Sequence, residues 1–450
     1  MLAVNAPSLS APIDPPLTAS LRDWFAARGW RPRRHQLDML AAARAGRHSL
    51  LVAPTGAGKT LAGFLPSLDD LIANGGAEGL HTLYVSPLKA LAVDVQRNLL
   101  TPIEEMGLSL RVETRSGDTP SDRKARQRTR PPHILLTTPE SLSLLLSYPD
   151  SDRLFATLKT VVIDEVHSFA TQKRGDLLSL SLARLQRLAP AMRRVALSAT
   201  VADPDGYRAW LAPYGDIDSV AKVVGEKGAD PDIAILLPQD RVPWSGHSGR
   251  YAAAQVMAEI ETHQTTIVFC NTRSLAELIF QDLWKANAMQ LPIGVHHGSL
   301  AREARRKVEA AMADGKLRAL VATASLDLGV DWGNVDCVIQ MGAPKGSSRL
   351  LQRIGRANHR LDEPSEAVVV PGNRFEYLEA RAALGASALQ EILMLPPDGY
   401  LPFAGAPPPT GRRCWCRSPS TSGTAPVRPP TTRLPTRCSR CSTPSTSART

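Results

Sequence analysis

No run of the 450 residues is apolar over the length a membrane-spanning helix requires. Met1–Ser20 has neither a basic start nor a sustained apolar core, so it does not read as a secretory leader. A cytoplasmic protein that makes no use of a membrane is the expectation. Cysteine is scarce in the body of the chain. Cys270 and Cys337 lie in apolar, strand-like runs and read as small buried core residues. The other four, Cys414, Cys416, Cys438 and Cys441, stand in the last stretch. A C-x-C with a C-x-x-C is a zinc spacing, but the Ser/Thr/Pro-rich chain between them has little to bury, and disorder is the expectation there. That stretch also lacks lysine and acid after residue 406 while holding eight arginines. Up to residue 406 the chain has 45 basic against 43 acidic residues, a balance of +2, so most of the formal net charge of +10 belongs to the tail. Bulk charge therefore makes no case for a polyanionic partner, and only local basic patches can.

A hydrophobic content of 43% and a charged content of 21% suit a soluble chain with room for two or three cores. One stretch organises it: Ala53-Pro54-Thr55-Gly56-Ala57-Gly58-Lys59-Thr60. Ser49–Val52 before it is short, apolar and sharply bounded, as a buried strand is. After it, Leu61, Phe64, Leu65, Leu68, Leu71 and Ile72 continue a helical stripe. Strand, glycine turn, helix is the setting of a phosphate-binding loop, here with alanine at the pattern's first position. Gly56 and Gly58 let backbone N–H groups converge on an anion, and the positive end of the helix points to the same place. Thr55, Gly56, Ala57 and Gly58 form the cradle, Lys59 reaches the terminal phosphates, and the Thr60 hydroxyl helps hold Mg²⁺. ATP and Mg²⁺ are the implied cofactors. Gln36, about twenty residues upstream, has the paired donor and acceptor that adenine N6 and N7 require; a surface glutamine on a helix is the equal alternative.

An apolar strand, Val161–Ile163, delivers Asp164 and Glu165 about a hundred residues after Lys59. Asp164 would hold Mg²⁺ through its waters, and Glu165 would orient and deprotonate an attacking water. Other strands are expected at Thr82–Val85, Leu110–Thr114, Ile134–Thr138 and Val195–Leu197, with helices between them. This alternation predicts a parallel sheet with helices on both faces. A basic stretch (Arg123, Lys124, Arg126, Arg128, Arg130) reads as a solvated helix face. Residues 216–248, richer in Pro, Gly and Asp, read as a linker. A second alternation follows at Thr266–Cys270, Ile293–Gly298, Ala319–Thr323 and Cys337–Gln340. It has no phosphate loop of its own but offers arginines within reach of a neighbouring domain's nucleotide. His296 and His297 point to opposite faces of a strand and so do not share a metal ion.

The ordered set Gln36, Ala53–Thr60, Ser86–Ala90, Thr138–Glu140, Asp164–His167, Ser198–Thr200, Thr323–Asp331 and Gln352–Arg356 resembles a superfamily 2 helicase over roughly residues 24–375. Ser86–Asp94 and Ser325–Asp331 look like the Lhr-type group, and Gln352–Arg360 is similar to its ligase-associated branch, whose members travel with DNA repair functions. The resemblance implies an α/β fold of two tandem RecA-like domains, with ATP in the cleft between them and single-stranded nucleic acid across both. The domains are expected at 21–215 and 249–400, after a flexible arm (1–20) and before a disordered tail (401–450). By resemblance, Lys59, Thr60, Asp164 and Glu165 form the ATPase centre, and His167, Ser198 and Thr200 couple it to nucleic acid. Arg356 would be the arginine finger, Arg353 a second positive group near the phosphates, Gln352 a support for the water, and Asp331 a ribose contact. Arginine is frequent where His359 stands, and Arg360 is its neighbour. Ser86, Lys89, Arg97, Thr138, Asn271, Arg273 and Thr323 match positions that contact the nucleic-acid backbone.

The expected activity is an ATP-dependent 3′→5′ DNA helicase of DNA repair, monomeric, acting on single-stranded or partly duplex DNA with a ligase among its partners. An RNA helicase or RNP remodeler, and a truncated nucleotide- and nucleic-acid-binding fragment without productive unwinding, are the alternatives. Lhr-type proteins continue into a winged helix and further domains. Here the composition after about Ala406 reads as a frameshifted tail, a genuine disordered tail being the alternative.

Overall fold

In a computed structural model the described residues are 17–388, apart from 55, 77, 171, 200, 202, 227, 237–242, 245, 247, 327–334, 344–346 and 359–362. The zinc-spaced cysteines and the arginine-rich tail lie outside them, as do the flexible arm's first sixteen residues. Two helices, α1 (Ala19–Ala27) and α2 (Arg34–Arg44), precede the first sheet. Its strands are β1 (His48–Val52), β2 (Thr82–Val85), β3 (Val112–Arg115), β4 (Ile134–Thr137), β5 (Thr160–Ile163), β6 (Arg193–Ser198) and β7 (Val220–Val224). Between them run α3 (Lys59–Ala73), α4 (Lys89–Glu105), α5 (Ser121–Thr129), α6 (Pro139–Ser147), α7 (Ser151–Phe155), α8 (Lys173–Leu188) and α9 (Pro204–Leu211). The strands lie in the order β3-β4-β2-β5-β6-β1-β7, every pair parallel.

The second sheet takes β8 (Asp232–Ile235), β9 (Thr266–Cys270), β10 (Ile293–His296), β11 (Ala319–Ala322), β12 (Cys337–Met341) and β13 (Glu366–Val370). They lie in the order β10-β11-β9-β12-β13-β8, again parallel throughout. Its helices are α10 (Ala253–Thr262), α11 (Arg273–Ala286), α12 (Arg302–Ala313), α13 (Ser347–Ile354) and α14 (Arg374–Ala388).

Successive residues of a strand face opposite sides, and both sides of these sheets are covered. In β1, Leu51 packs into the core under α3, while Leu50 and Val52 enter the core on the other face. In β9, Val268 and Cys270 face one core and Ile267 and Phe269 the other. Burial of β2, β4, β5 and β9 throughout, and of β1 beyond His48, is why these strands read as largely apolar runs. Cys270 and Cys337 are fully buried, and burial pushes both thiols up to about 12, so they stay protonated and inert.

One expectation needs correcting. The stretch 216–248, expected as a linker, supplies a strand to each sheet: β7 pairs with β1, and β8 with β13. Both are edge strands, paired on one side and part-exposed, so alternating or weak hydrophobicity suffices for them. Among the described residues, no helix is long and apolar enough to cross a membrane.

Candidate functional site

All the parallel strands of a sheet end on one side, where open α/β sheets bind their ligands. The phosphate loop leaves β1 at that side, anchored by Ala53 N–H donating to the Ser198 carbonyl at 3.1 Å. Gly56 (φ 76°) and Gly58 (φ 74°) adopt left-handed backbone, which a Cβ would strain. Lys59, first in α3, donates from Nζ to the Pro54 carbonyl at 3.0 Å, folding over its own loop. Thr60 follows in the helix's first turn, half-buried. Thr55 lies outside the described residues.

Gln36 is buried rather than on the surface, and its amide nitrogen would sit 3.2 Å from a Cβ at Gly58. Its carbonyl oxygen accepts from the Arg33 N–H at 2.9 Å, which fixes the amide beside the loop. Two neighbours brace that loop and had no motif to announce them. Buried His35 donates from Nε2 to the Ala57 carbonyl at 2.9 Å. Arg33 reaches the Gly56 carbonyl at 3.5 Å.

β5 delivers the acids. Asp164 accepts from the Glu165 N–H at 2.9 Å through Oδ1, and from the Tyr84 hydroxyl through Oδ2. Tyr84 is fully buried on β2 and stacked on Phe64 of α3. Glu165 has φ 48° and ψ 47°, a left-handed conformation that costs a non-glycine residue about 1–3 kcal/mol. Its buried Oε2 makes no hydrogen bond. Burial, and next the adjacent Glu165, push Asp164 up to about 6; Tyr84 and Lys59 pull the other way. Lys59 is pushed down by burial, supported by Glu165 and Asp164, and opposed by Arg356. Lysine, both acids and an arginine of the second lobe thus share one electrostatic neighbourhood.

The lobes also touch through His167. Its Nδ1 lies 3.0 Å from Ser198 Oγ, and its Nε2 lies 2.7 Å from the amide nitrogen of Gln352 on α13. Burial lowers the ring's basicity. The Gln352 amide nitrogen can only donate, so Nε2 accepts from it and the ring proton sits on Nδ1, which donates to Ser198. Glu165 Oε2 lies 3.3 Å from the same Nε2, a contact that becomes an ion pair only if the ring is protonated. Thr200 and Asp331 lie outside the described residues.

The two arginines of α13 and its following turn differ. Arg356 is buried, and its charge is felt at Lys59. Arg353 is buried within the second lobe, with its guanidinium over the Phe269 ring at 4.8 Å and donating to Gln340 at 2.6 Å and Asn271 at 3.5 Å.

Residues expected at the nucleic-acid backbone sit just past strand ends in both lobes. Ser86 follows β2, and its hydroxyl donates to the Leu88 carbonyl at 2.7 Å. Thr138 follows β4, buried, with its hydroxyl on Ser141. Asn271 follows β9 and donates to the Ala343 carbonyl at 2.8 Å, while Arg273 donates to Ser299 Oγ at 2.6 Å. Thr323 follows β11, its N–H on the His296 carbonyl at 3.3 Å. For Lys89 and Arg97 only the backbone, at α4, is described. His296 pairs with Glu309 and Ser325, and His297 with Glu277 on another helix. Among the described residues no cluster suits a metal bound by protein ligands alone. The basic stretch at α5 is engaged locally: Arg123 and Arg126 pair with Glu113, and Arg128 with Asp150.

Two family profiles match, DEAD/DEAH box helicase over residues 33–206 and helicase conserved C-terminal domain over 251–360. The chain belongs to the DEAD/DEAH box helicases, of Lhr type. It is 37% identical over 407 residues to the Lhr helicase/probable uracil glycosylase of Mycolicibacterium smegmatis, covering 80% of this chain and 27% of that protein. The ATP-dependent helicase Lhr-Core of Methanocaldococcus jannaschii is 37% identical over 383 residues, which is 81% of this chain and 44% of that one. The solved structure of Mycobacterium smegmatis helicase Lhr bound to ssDNA and AMP-PNP superposes with a TM-score of 0.75 at 37% identity, covering 84% of this chain and 51% of the other. This helicase chain thus spans about half, or less, of the length of these relatives. Its two parallel-sheet domains are RecA-like.

Proposed function

We propose that this chain is an ATP-driven motor on single-stranded DNA, with 3′→5′ polarity and a role in DNA repair. The observation that carries the reading is the 2.7 Å contact from Gln352 to His167, which ties the acid-bearing turn to the arginine-bearing helix of the other lobe. With it goes the influence of Arg356 on Lys59, the lysine of the phosphate loop. A catalytic centre split across two lobes closes on substrate and loosens when the γ-phosphate leaves. ssDNA in the relative's solved complex supports a DNA track, and the likeness of Gln352–Arg360 to the ligase-associated branch is what supports repair and a ligase partner.

In this reading Lys59 exchanges the Pro54 carbonyl for the β- and γ-phosphate oxygens, and Gln36 reads adenine. Glu165, with one carboxylate oxygen free of hydrogen bonds, takes the proton of the attacking water. Gln352 helps position that water, and Arg356 steadies the charge on the transferring phosphoryl group. Arg353 is assigned a supporting part, fixing Gln340 and Asn271 beneath the helix that bears Arg356. Thr60 and Asp164 suit Mg²⁺. Asp164's buried carboxylate, crowded by Glu165, is a negative pair that a cation relieves. When bound, that ion neutralises charge on the β- and γ-phosphates. Thr55, Asp331 and Thr200 complete the expected ATP and coupling sets. Ser86, Lys89, Arg97, Thr138, Asn271, Arg273 and Thr323 grip the strand's backbone, which needs no sequence readout. The chain acts as a cytoplasmic monomer.

The test is ATP turnover with and without single-stranded DNA or RNA, followed by unwinding of partial duplexes with 3′ or 5′ overhangs. Stimulation by DNA above RNA, abolished by Glu165→Gln with a fall on the order of 10²–10⁴ in kcat, is expected. Stronger stimulation by RNA would transfer the chain to an RNA motor. No stimulation by either, with turnover indifferent to Glu165→Gln, leaves a nucleotide- and nucleic-acid-binding fragment.

A further inference from the structure

Arg174, second residue of α8, belongs to none of the motifs above, yet it joins three of them. On one side its Nη1 donates to the Pro87 carbonyl at 3.0 Å, inside the loop that carries Ser86 and leads to Lys89. Its Nε and Nη2 donate to the two carboxylate oxygens of Glu140 at 2.6 and 3.1 Å, two residues past Thr138. A forked, charge-assisted pair of this kind fixes orientation as well as distance. One guanidinium therefore sets the spacing of two loops that leave neighbouring strands β2 and β4.

On the other side, the start of α8 is fastened to the turn that carries His167. Phe169 N–H donates to the Val166 carbonyl at 3.0 Å, Gln172 N–H to the Phe169 carbonyl at 2.8 Å, and Gly175 N–H to the Gln172 carbonyl at 2.8 Å. The approach is so close that a Cβ at Gly175 would lie 2.8 Å from the Phe169 carbonyl carbon and nearer still to its oxygen. The Arg174 guanidinium also lies 5.8 Å from the Phe169 ring centroid. Displacement of the acid turn therefore carries the α8 start, and Arg174, with it.

We propose that Arg174 is a positioning residue that transmits the state of the Asp164–His167 turn to the two nucleic-acid loops at Ser86–Lys89 and Thr138–Glu140. The assignment rests on the motor reading, because only a motor needs its acid turn linked to its grip on the strand. An ordinary surface ion pair contributes little and would leave nucleic-acid affinity alone; the two roles separate in solution.

The experiment measures ATP turnover of the full chain against ssDNA concentration for wild type, Arg174→Gln, Glu140→Gln and the double variant. Arg174→Gln is expected to raise the half-saturating ssDNA concentration roughly three- to tenfold, the scale of a lost charge-assisted pair. Its KM for ATP without DNA stays at the wild-type value. Glu140→Gln raises it less, and the double variant is no worse than Arg174→Gln alone, as expected of two groups in one linkage. Arg174→Lys, which keeps charge and helix propensity but has a point charge where the fork was, also raises it and guards against misfolding. An unchanged half-saturating concentration in both Arg174 variants, or fully additive losses in the double variant, overturns the assignment while leaving the motor intact. A wild-type chain that ssDNA does not stimulate overturns the motor reading and this assignment with it.

Discussion

At the scale of single residues, the electrostatics of Asp164 make the sharpest forecast. An isolated aspartate titrates near 3.8, and burial with Glu165 alongside moves Asp164 to about 6. Folding therefore makes this carboxyl hold its proton more tightly. Its contribution to stability is full below about pH 4 and is lost as pH rises through about 6. In the proposed site Mg²⁺ would compete for the same oxygens, so below about pH 6 its apparent affinity should fall towards tenfold per pH unit. Titrating Mg²⁺ into the ATPase assay between pH 5 and 7.5 measures this; a flat dependence would contradict the assigned role of Asp164. Tyr84→Phe removes a donor that favours the charged carboxylate, so the acid limb should move to higher pH, by on the order of one unit. Tyr84 itself reads in sequence as one more apolar strand residue. Only the fold brings its hydroxyl, eighty positions away, onto Asp164.

At the scale of elements, close approaches decide which glycines are tolerant. A Cβ on Gly63 would meet Leu197 at 2.9 Å, where α3 lies against β6, but the contact is the end of a flexible side chain. Gly175 instead faces backbone, at the carbonyl of Phe169, which has nowhere to yield without disturbing the turn beside His167. Gly175→Ala should cost about 1–3 kcal/mol as overpacking does, lowering the thermal midpoint by several degrees, while Gly63→Ala costs less. Calorimetry on the two variants compares them. Central strands were legible from sequence because both faces are buried and most of their residues are apolar. β7 and β8 were not, since each is a short, part-exposed edge strand set among Pro, Gly and Asp residues that read as a linker. The Gly/Pro/Asp content of 216–248 suggested a linker for that reason.

At the scale of the whole molecule, the interface between lobes is where the proposed motor joins hydrolysis to grip. Gln352→Leu keeps size but removes the amide that His167 accepts from. It should reduce ssDNA-stimulated kcat about tenfold, the order of one lost buried hydrogen bond, while ATP binding at Lys59 persists. Steady-state kinetics, with nucleotide affinity measured separately, distinguishes this from general loss of folding.

The chain's order of residues was enough to place a glycine-rich loop after a buried strand, a pair of acids after another, and a second α/β unit bearing arginines. Each is a local signal, written in a few adjacent positions by backbone freedom, hydrophobic run length and charge. Tertiary structure alone decided the rest: that Gln36 is buried beside Gly58, that Arg353 turns into its own lobe while Arg356 acts on Lys59, and that Tyr84, His35 and Arg174 serve the motifs at all. The reason is that a side chain's partner across a sheet or between lobes is fixed by strand order and packing, and residues distant in sequence carry no mark of one another until the chain has folded.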